Sequence, residues 1–197
     1  MNISAIENAI LRLETYDKQG ETYTNDRGSY GWRNPIRQDT GPILQALMLA
    51  ASPKRILEIG TAHGLSALYL MRGAGQNCQM KTIEFDEQVA RQTQALMDEL
   101  SLPVEVLSGE AMDMLATLDT PCDVLFLDAQ KSHYGKQFNY LHEHGLLANG
   151  CLILADNVID REEECASLFE ALRAAAIDYS IIATECGLLV AKYNPHG

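Results

Sequence analysis

A chain of 197 residues, 47% apolar and 21% charged, has the length and composition of a single globular domain with a sizeable core. Its net charge of −12, from 15 Lys and Arg against 27 Asp and Glu, argues against a general nucleic-acid or anionic-membrane surface. Five scattered cysteines (78, 122, 151, 165 and 186) without a C-x-x-C suit reduced thiols better than a disulfide framework. With no leader-like start and no run of 18 apolar residues, the expectation is a soluble, cytoplasmic protein.

Residues 3–18 carry Ile3, Ile6, Ile10, Leu11 and Leu13 near helical spacing and predict an amphipathic helix. From Gly20 to Gly41 that pattern breaks into a long segment holding Trp32, Tyr30, Arg33 and Arg37, which reads as a lid-like loop or a surface loop pinned by one aromatic. Asp39 or Thr40 is a candidate cap for a helix over 42–51. Strands and helices then alternate. The pattern predicts strands at 54–59, 80–85, 103–108, 122–128 and 150–156, and helices at 64–73, 86–100 (with Asp86 as cap), 110–118, 134–147 and 161–176. Residues 179–193 read as two strands around the tight turn Cys186-Gly187. Five such βα units require a parallel sheet with helices on both faces, and the terminal pair must be antiparallel. The predicted fold is therefore α/β and Rossmann-like: one domain over 1–197 around a mostly parallel seven-stranded sheet with a C-terminal antiparallel hairpin, residues 1–41 forming its variable helix and loop.

The chain is organised around Ile56-Leu-Glu58-Ile-Gly60-Thr-Ala-His-Gly64-Leu-Ser66. An apolar strand runs into a glycine turn and then a helix, which brings backbone and free N–H groups close to a ligand. Ala62 stands where the dinucleotide fingerprint has its middle glycine, so the turn alone does not define a nicotinamide site. Ligands of open α/β sheets bind beyond the carboxyl ends of the strands. The polar residues predicted there are Glu58, Glu84, Asp128, and the pair Asp156-Asn157. Glu84, ending the second of these strands, stands where a ribose diol is gripped, although a strand-end carboxylate in water is the plainer reading. If the strands ending in Asp128 and Asp156 are neighbours, about 4.8 Å apart, their carboxylates repel without a cation or proton between them. Two carboxylates and an amide oxygen form a hard, incomplete oxygen shell of the kind that holds Mg²⁺ at about 2.1 Å. Lys131 stands at its edge. A surface ion pair of Lys131 with Asp128, beside a capping Asn157, is the structural alternative.

In sum, Leu57-Glu58-Ile-Gly60-Thr-x-x-Gly64-x-Ser66, Thr82-Ile-Glu84, Gly109-Glu-Ala111, Phe126-Leu-Asp128-Ala-x-Lys131-x-x-Tyr134, Leu146-Leu-x-x-Gly150 and Asp156-Asn157-Val158 resemble the cation-dependent O-methyltransferases. That family includes the catechol and caffeoyl-CoA O-methyltransferases, and the resemblance runs from about residue 36 to the C-terminus. It implies S-adenosylmethionine as cofactor, with Glu58, Gly60 and Ser66 at its methionine end, Glu84 on the ribose, and Gly109, Glu110 and Ala111 by the adenine. Ile36 would line the cofactor from the lid side, and Asp128 would border the same cofactor site. Asp128, Asp156 and Asn157 would hold a divalent cation, Mg²⁺ being the expected one, and Lys131 would be the general base. The implied reaction moves a methyl group to a hydroxyl of a small catechol-like or vicinal-diol acceptor. A homodimer is implied, with the Trp32 segment as a candidate contact.

The chain departs from the family at Ala62-His63 in the first turn, at Gln130, where some relatives place an aromatic near the adenine, and after Asp156. There, only residues 157–161 are expected before the last long helix, which predicts a more open acceptor pocket. His142 and His144, two apart, do not share a helix face, and Glu162–Glu164 reads as a solvated face near a helix N-terminus. Three other readings compete. A hydroxylated uridine of transfer RNA is a possible acceptor, though the charge disfavours nucleic acid. A non-catalytic cofactor-binding Rossmann protein would have no use for the metal set and Lys131. A nicotinamide oxidoreductase leaves Asp128 and Asp156-Asn157 unexplained.

Overall fold

The computed structural model describes residues 2–17, 22–25, 28–31 and 36–194, with side chains for 2–15 and 36–194. Trp32 and Arg33 lie outside the described residues. The first helix, α1 (Ile3–Asp17), buries Ile6, Ile10 and Leu13 at its predicted spacing. The segment read as an irregular loop instead contains a two-stranded antiparallel sheet, β1 (Thr22–Asn25) and β2 (Gly28–Gly31), pairing Tyr23 with Tyr30 and Thr24 with Ser29. Helix α2 (Thr40–Ala51) follows. Asp39 occupies its N-cap position but makes no cap bond; its Oδ2 accepts instead from Glu185 N at 2.7 Å.

The main sheet comprises β3 (Arg55–Ile59), β4 (Gln79–Glu84), β5 (Val104–Ser108), β6 (Cys122–Leu127), β7 (Leu147–Ala155), β8 (Tyr179–Ile182) and β9 (Leu188–Lys192). Its order is β5-β4-β3-β6-β7-β9-β8, parallel except for β9, which runs antiparallel to both its neighbours. The connecting helices are α3 (Leu65–Ala74), α4 (Glu87–Glu99), α5 (Ala111–Leu115), α6 (Tyr134–Glu143, preceded by a 3-10 turn at Lys131–His133) and α7 (Ala166–Ala174). Asp86 caps α4 as expected, accepting from Gln88 N and Val89 N at 2.9 and 3.1 Å.

Strand side chains alternate between faces. Val124 and Phe126 join α1, α2 and α3 in one core, whereas Leu125 and Leu127 join α6 and α7 in the other. Within the second, a Cβ on Gly135 would stand 2.3 Å from Ser167 O, so only glycine lets α6 approach α7 this closely. At the opposite end of the sheet from the candidate site, Asp123 Oδ2 accepts from Lys54 N and Arg55 N at 2.9 and 2.8 Å, tying the start of β6 to the start of β3.

Boundaries differ from expectation most clearly around α6, β7 and α7. Helix α6 stops at Glu143, because Gly145 takes φ +65° and Leu146 N returns to Leu141 O, and β7 begins at Leu147 rather than 150. Helix α7 starts at Ala166 rather than 161. The Glu162–Glu164 run therefore belongs to turns rather than to a helix, with Arg161 Nη1 on Glu164 Oε1 at 3.1 Å. All five cysteines are buried free thiols. No helix among the described residues is long and apolar enough to cross a membrane.

Candidate functional site

Strand β3 has β4 on one side and β6 on the other, so the chain winds outward in both directions from it. The crevice beyond the carboxyl ends of β3 and β6 is the binding position of such sheets. Gly60 leaves β3 at φ +99°, and a Cβ there would lie 2.6 Å from Asp128 O and 2.7 Å from Ala129 N. The first turn is thus pressed against the end of β6. Gly64 turns into α3 at φ +82°, where a Cβ would stand 2.5 Å from Met97 Cε of α4. Ala62, between them, takes φ +44° and is clamped on both sides: its N–H donates to Glu84 Oε2 at 3.0 Å and its O accepts from Thr93 Oγ1 at 2.6 Å. His63 and Ser66 are buried in and just after this turn.

Glu58 is fully buried. Its Oε2 accepts from Thr82 Oγ1 at 2.5 Å, and its Oε1 is buried without a hydrogen-bond partner. Burial pushes its carboxyl up to about 7, against the pull of the Ser66, Thr82 and Thr61 hydroxyls. Glu84 is also buried and raised by burial, with Asp86 N donating to Oε1 at 3.0 Å and Ala62 N to Oε2. Gly109 follows β5 at φ +150°, its N–H donating to Glu84 O at 2.9 Å, and Glu110 and Ala111 open α5. These residues stand two strands out from β3. Ile36 is buried in the α1–α3 core, together with Leu44 and Met48.

On the other side of β3, the expected adjacency holds: β6 pairs with β7 through Leu127 and Ala155, so Asp128 and Asp156 end neighbouring strands. Lys131 Nζ is 3.0 Å from Asp128 Oδ1, both side chains being mostly buried. Burial raises the Asp128 carboxyl against the pull of Lys131. Asp156 is pushed up to about 7, first by burial and then by the Asp128 charge. Its Oδ1 is buried without a hydrogen-bond partner. Asn157 takes φ +66°, a conformation asparagine tolerates.

This donor set fits a hard divalent cation. Two carboxylates end adjacent strands, one has a buried oxygen with no hydrogen-bond partner, and the Asn157 amide follows it directly in the chain. Among the described residues no three His, Cys, Asp or Glu side chains suffice for a metal on their own, so the third protein donor would be the Asn157 amide.

The sequence reading placed Tyr134 in the Lys131 motif without a role and did not single out Asp160. Tyr134 is fully buried under the site, its OH donating to Asp156 O at 3.4 Å and its ring 5.7 Å from Lys131 Nζ. Asp160 Oδ1 and Oδ2 accept from Asn157 Nδ2 at 3.2 and 3.4 Å, and its charge acts on Asp128 and Asp156. The only signal was a third acid shortly after Asp156-Asn157, in a stretch taken as a spacer. That stretch is wider than expected, residues 157–165, and is pinned to the β8–β9 turn by Val158 N to Gly187 O and Ile159 N to Cys186 O at 3.1 and 2.9 Å.

The sheet order, the antiparallel final strand and the crevice at the strand reversal define the Rossmann-like methyltransferase fold. Residues 57–158 match the family described as methyltransferase domain, and the chain belongs to that family. It is similar to the catechol O-methyltransferase of Niastella koreensis, 34% identical over 130 residues that cover 63% of this chain and 58% of that protein. The catechol O-methyltransferase of Sus scrofa is 32% identical over 131 residues, covering 63% of this chain and 70% of the relative. The chain spans 54% to 58% of the length of the first three curated relatives. Among solved structures, the O-methyltransferase from Bacillus cereus in complex with SAH superposes with a TM-score of 0.74 at 23% identity, covering 97% of this chain and 91% of that one.

Proposed function

We propose that this protein is an S-adenosylmethionine-dependent O-methyltransferase that acts, with a divalent cation, on a small catechol-like or vicinal-diol acceptor. The observation that carries this reading is the pair Asp128 and Asp156 at adjacent strand ends, with an orphaned buried oxygen on Asp156 and Lys131 3.0 Å from Asp128. The likeness to catechol O-methyltransferases and to an O-methyltransferase complexed with SAH supports it.

In this reading the cofactor supplies the methyl group, and a cation on Asp128, Asp156 and Asn157, expected to be Mg²⁺, supplies a Lewis acid that makes the acceptor hydroxyl more acidic. As the neutral amine, Lys131 takes the hydroxyl proton at Nζ and becomes the ammonium. Its tether to Asp128 keeps that nitrogen beside the place where the hydroxyl is bound. Glu58, Gly60 and Ser66 surround the methionine end. The unpartnered Glu58 Oε1 is an acceptor for a donor group there, and Gly60 allows backbone to approach closely. Glu84 takes the ribose hydroxyls, Gly109, Glu110 and Ala111 flank the adenine, and Ile36 lines the cofactor from the lid side. Positioning accounts for most of the acceleration, since methyl transfer needs donor and acceptor in line.

Calorimetric titration tests the cofactor half. S-adenosylmethionine or its demethylated product should bind and NAD should not. Glu84→Ala should weaken binding by about 1.5–3 kcal/mol, the worth of hydrogen bonds to a charged group. Unchanged affinity in that variant removes Glu84 from the cofactor site.

A further inference from the structure

Asn157 directly follows Asp156 at the strand ends and carries an amide with an oxygen at one corner and a nitrogen at the other. Only the oxygen can ligate a cation, and rotation about the last side-chain bond exchanges the two. The backbone of Asn157 is held: its O accepts from Arg161 N at 3.0 Å and the next N–H, of Val158, donates to Gly187 O. What fixes the amide is Asp160. An ionised carboxylate accepts hydrogen bonds and cannot donate them, so it selects the Nδ2 end of Asn157, at 3.2 Å from Oδ1 and 3.4 Å from Oδ2. The amide oxygen is thereby turned away from Asp160. Asp160 is itself anchored, its N–H donating to Cys186 O at 3.3 Å and its Oδ2 lying 3.8 Å from Arg161 Nε. Independently, the buried Asp156 Oδ1 has no hydrogen-bond partner within the protein, which leaves it available to a ligand.

From this we infer that Asp160 is a positioning residue for the cation site: it orients the Asn157 amide so that Oδ1 is the atom offered beside Asp128 and Asp156. The inference rests on the cation reading of the preceding subsection and assigns a role to a residue outside the expected ligand set. Outer partners that orient ligands act in this way at metal sites, and their loss costs about 10–100-fold in metal affinity.

The test measures Mn²⁺ binding by the free-ion paramagnetic resonance signal in the wild type, D160A, D160N and D156A, with thermal unfolding of each as a check on folding. D160A should weaken Mn²⁺ binding about 10–100-fold. D160N should stay within a few-fold of the wild type, because its own amide oxygen still accepts from Asn157 Nδ2. That rescue separates positioning from charge. Equal losses in D160N and D160A overturn the inference and make Asp160 a charge partner or direct ligand. Wild-type affinity in a folded D160A overturns it as well, and if D160A does not fold, a D160N that folds but loses Mn²⁺ does so on its own. Absence of Mn²⁺ binding in the wild type, indistinguishable from D156A, fails the cation reading itself.

Discussion

Glu58 and Asp156 each bury a carboxylate oxygen with no hydrogen-bond partner, and each is raised to about 7. For Glu58 this has a definite sign. Its folded value lies above the ordinary 4.5, so its contribution to stability is fully present below about 4.5 and is lost as pH rises through about 7. The shift corresponds to roughly 3 kcal/mol at most. Urea unfolding at pH 5 and pH 8 should therefore show the ligand-free wild type losing more stability than Glu58→Gln over that interval. Parallel losses would show that the Glu58 carboxyl does not titrate as its burial requires. At Lys131 the expected outcome is kinetic. Lys131→Met should keep metal binding and lose about 10²–10⁴-fold in turnover, the usual contribution of a general base. Part of that loss should return with a more acidic acceptor, which ionises without help. A loss that tracks weaker metal binding instead would leave Lys131 as only the structural partner of Asp128.

At the scale of elements, the parallel strands were legible because strands buried on both faces read as short apolar runs, as in Ile56–Ile59 and Val124–Leu127. Their carboxyl-end acids followed from the rule of open α/β sheets, which is why Glu58, Glu84, Asp128 and Asp156 could be named in advance. The errors have local causes. Gly145 stops α6 although apolar Leu146 and Leu147 extend its pattern, and the Arg161–Glu164 charges have the composition of a helical first turn although α7 starts at Ala166. The Thr-Tyr-Thr alternation of β1 was overlooked because so short a pair has weak periodicity. Asp160 was invisible because its meaning depends on the αL turn at Asn157, which only the fold provides. Two predictions belong here. Gly135→Ala places a Cβ 2.3 Å from Ser167 backbone and must force α6 from α7, costing about 1–3 kcal/mol in urea unfolding; an unchanged midpoint would mean that the helices yield freely. If the β1–β2 hairpin covers the cofactor, its amides should gain hydrogen-exchange protection when S-adenosylmethionine is added. Equal exchange with and without it would leave the hairpin as surface structure.

For the molecule as a whole, the sheet divides the work of the site along its carboxyl edge. In the proposed reading, the β3–β4–β5 side would offer Glu58, Glu84 and the Gly109 turn to the cofactor, and the β6–β7 side Asp128, Lys131, Asp156 and Asn157 to a cation and acceptor. Gly60, wedged against Asp128 and Ala129, joins the two halves. The most direct measurement of this account is transfer of labelled methyl from S-adenosylmethionine to catechol by the purified protein, before and after a metal chelator and again after added Mg²⁺. The account predicts transfer that the chelator abolishes and Mg²⁺ restores, with Asp128→Ala and Asp156→Ala each losing most of it. Full activity in the chelator-treated protein would contradict it, because the paired strand-end carboxylates would then serve some purpose other than holding a cation.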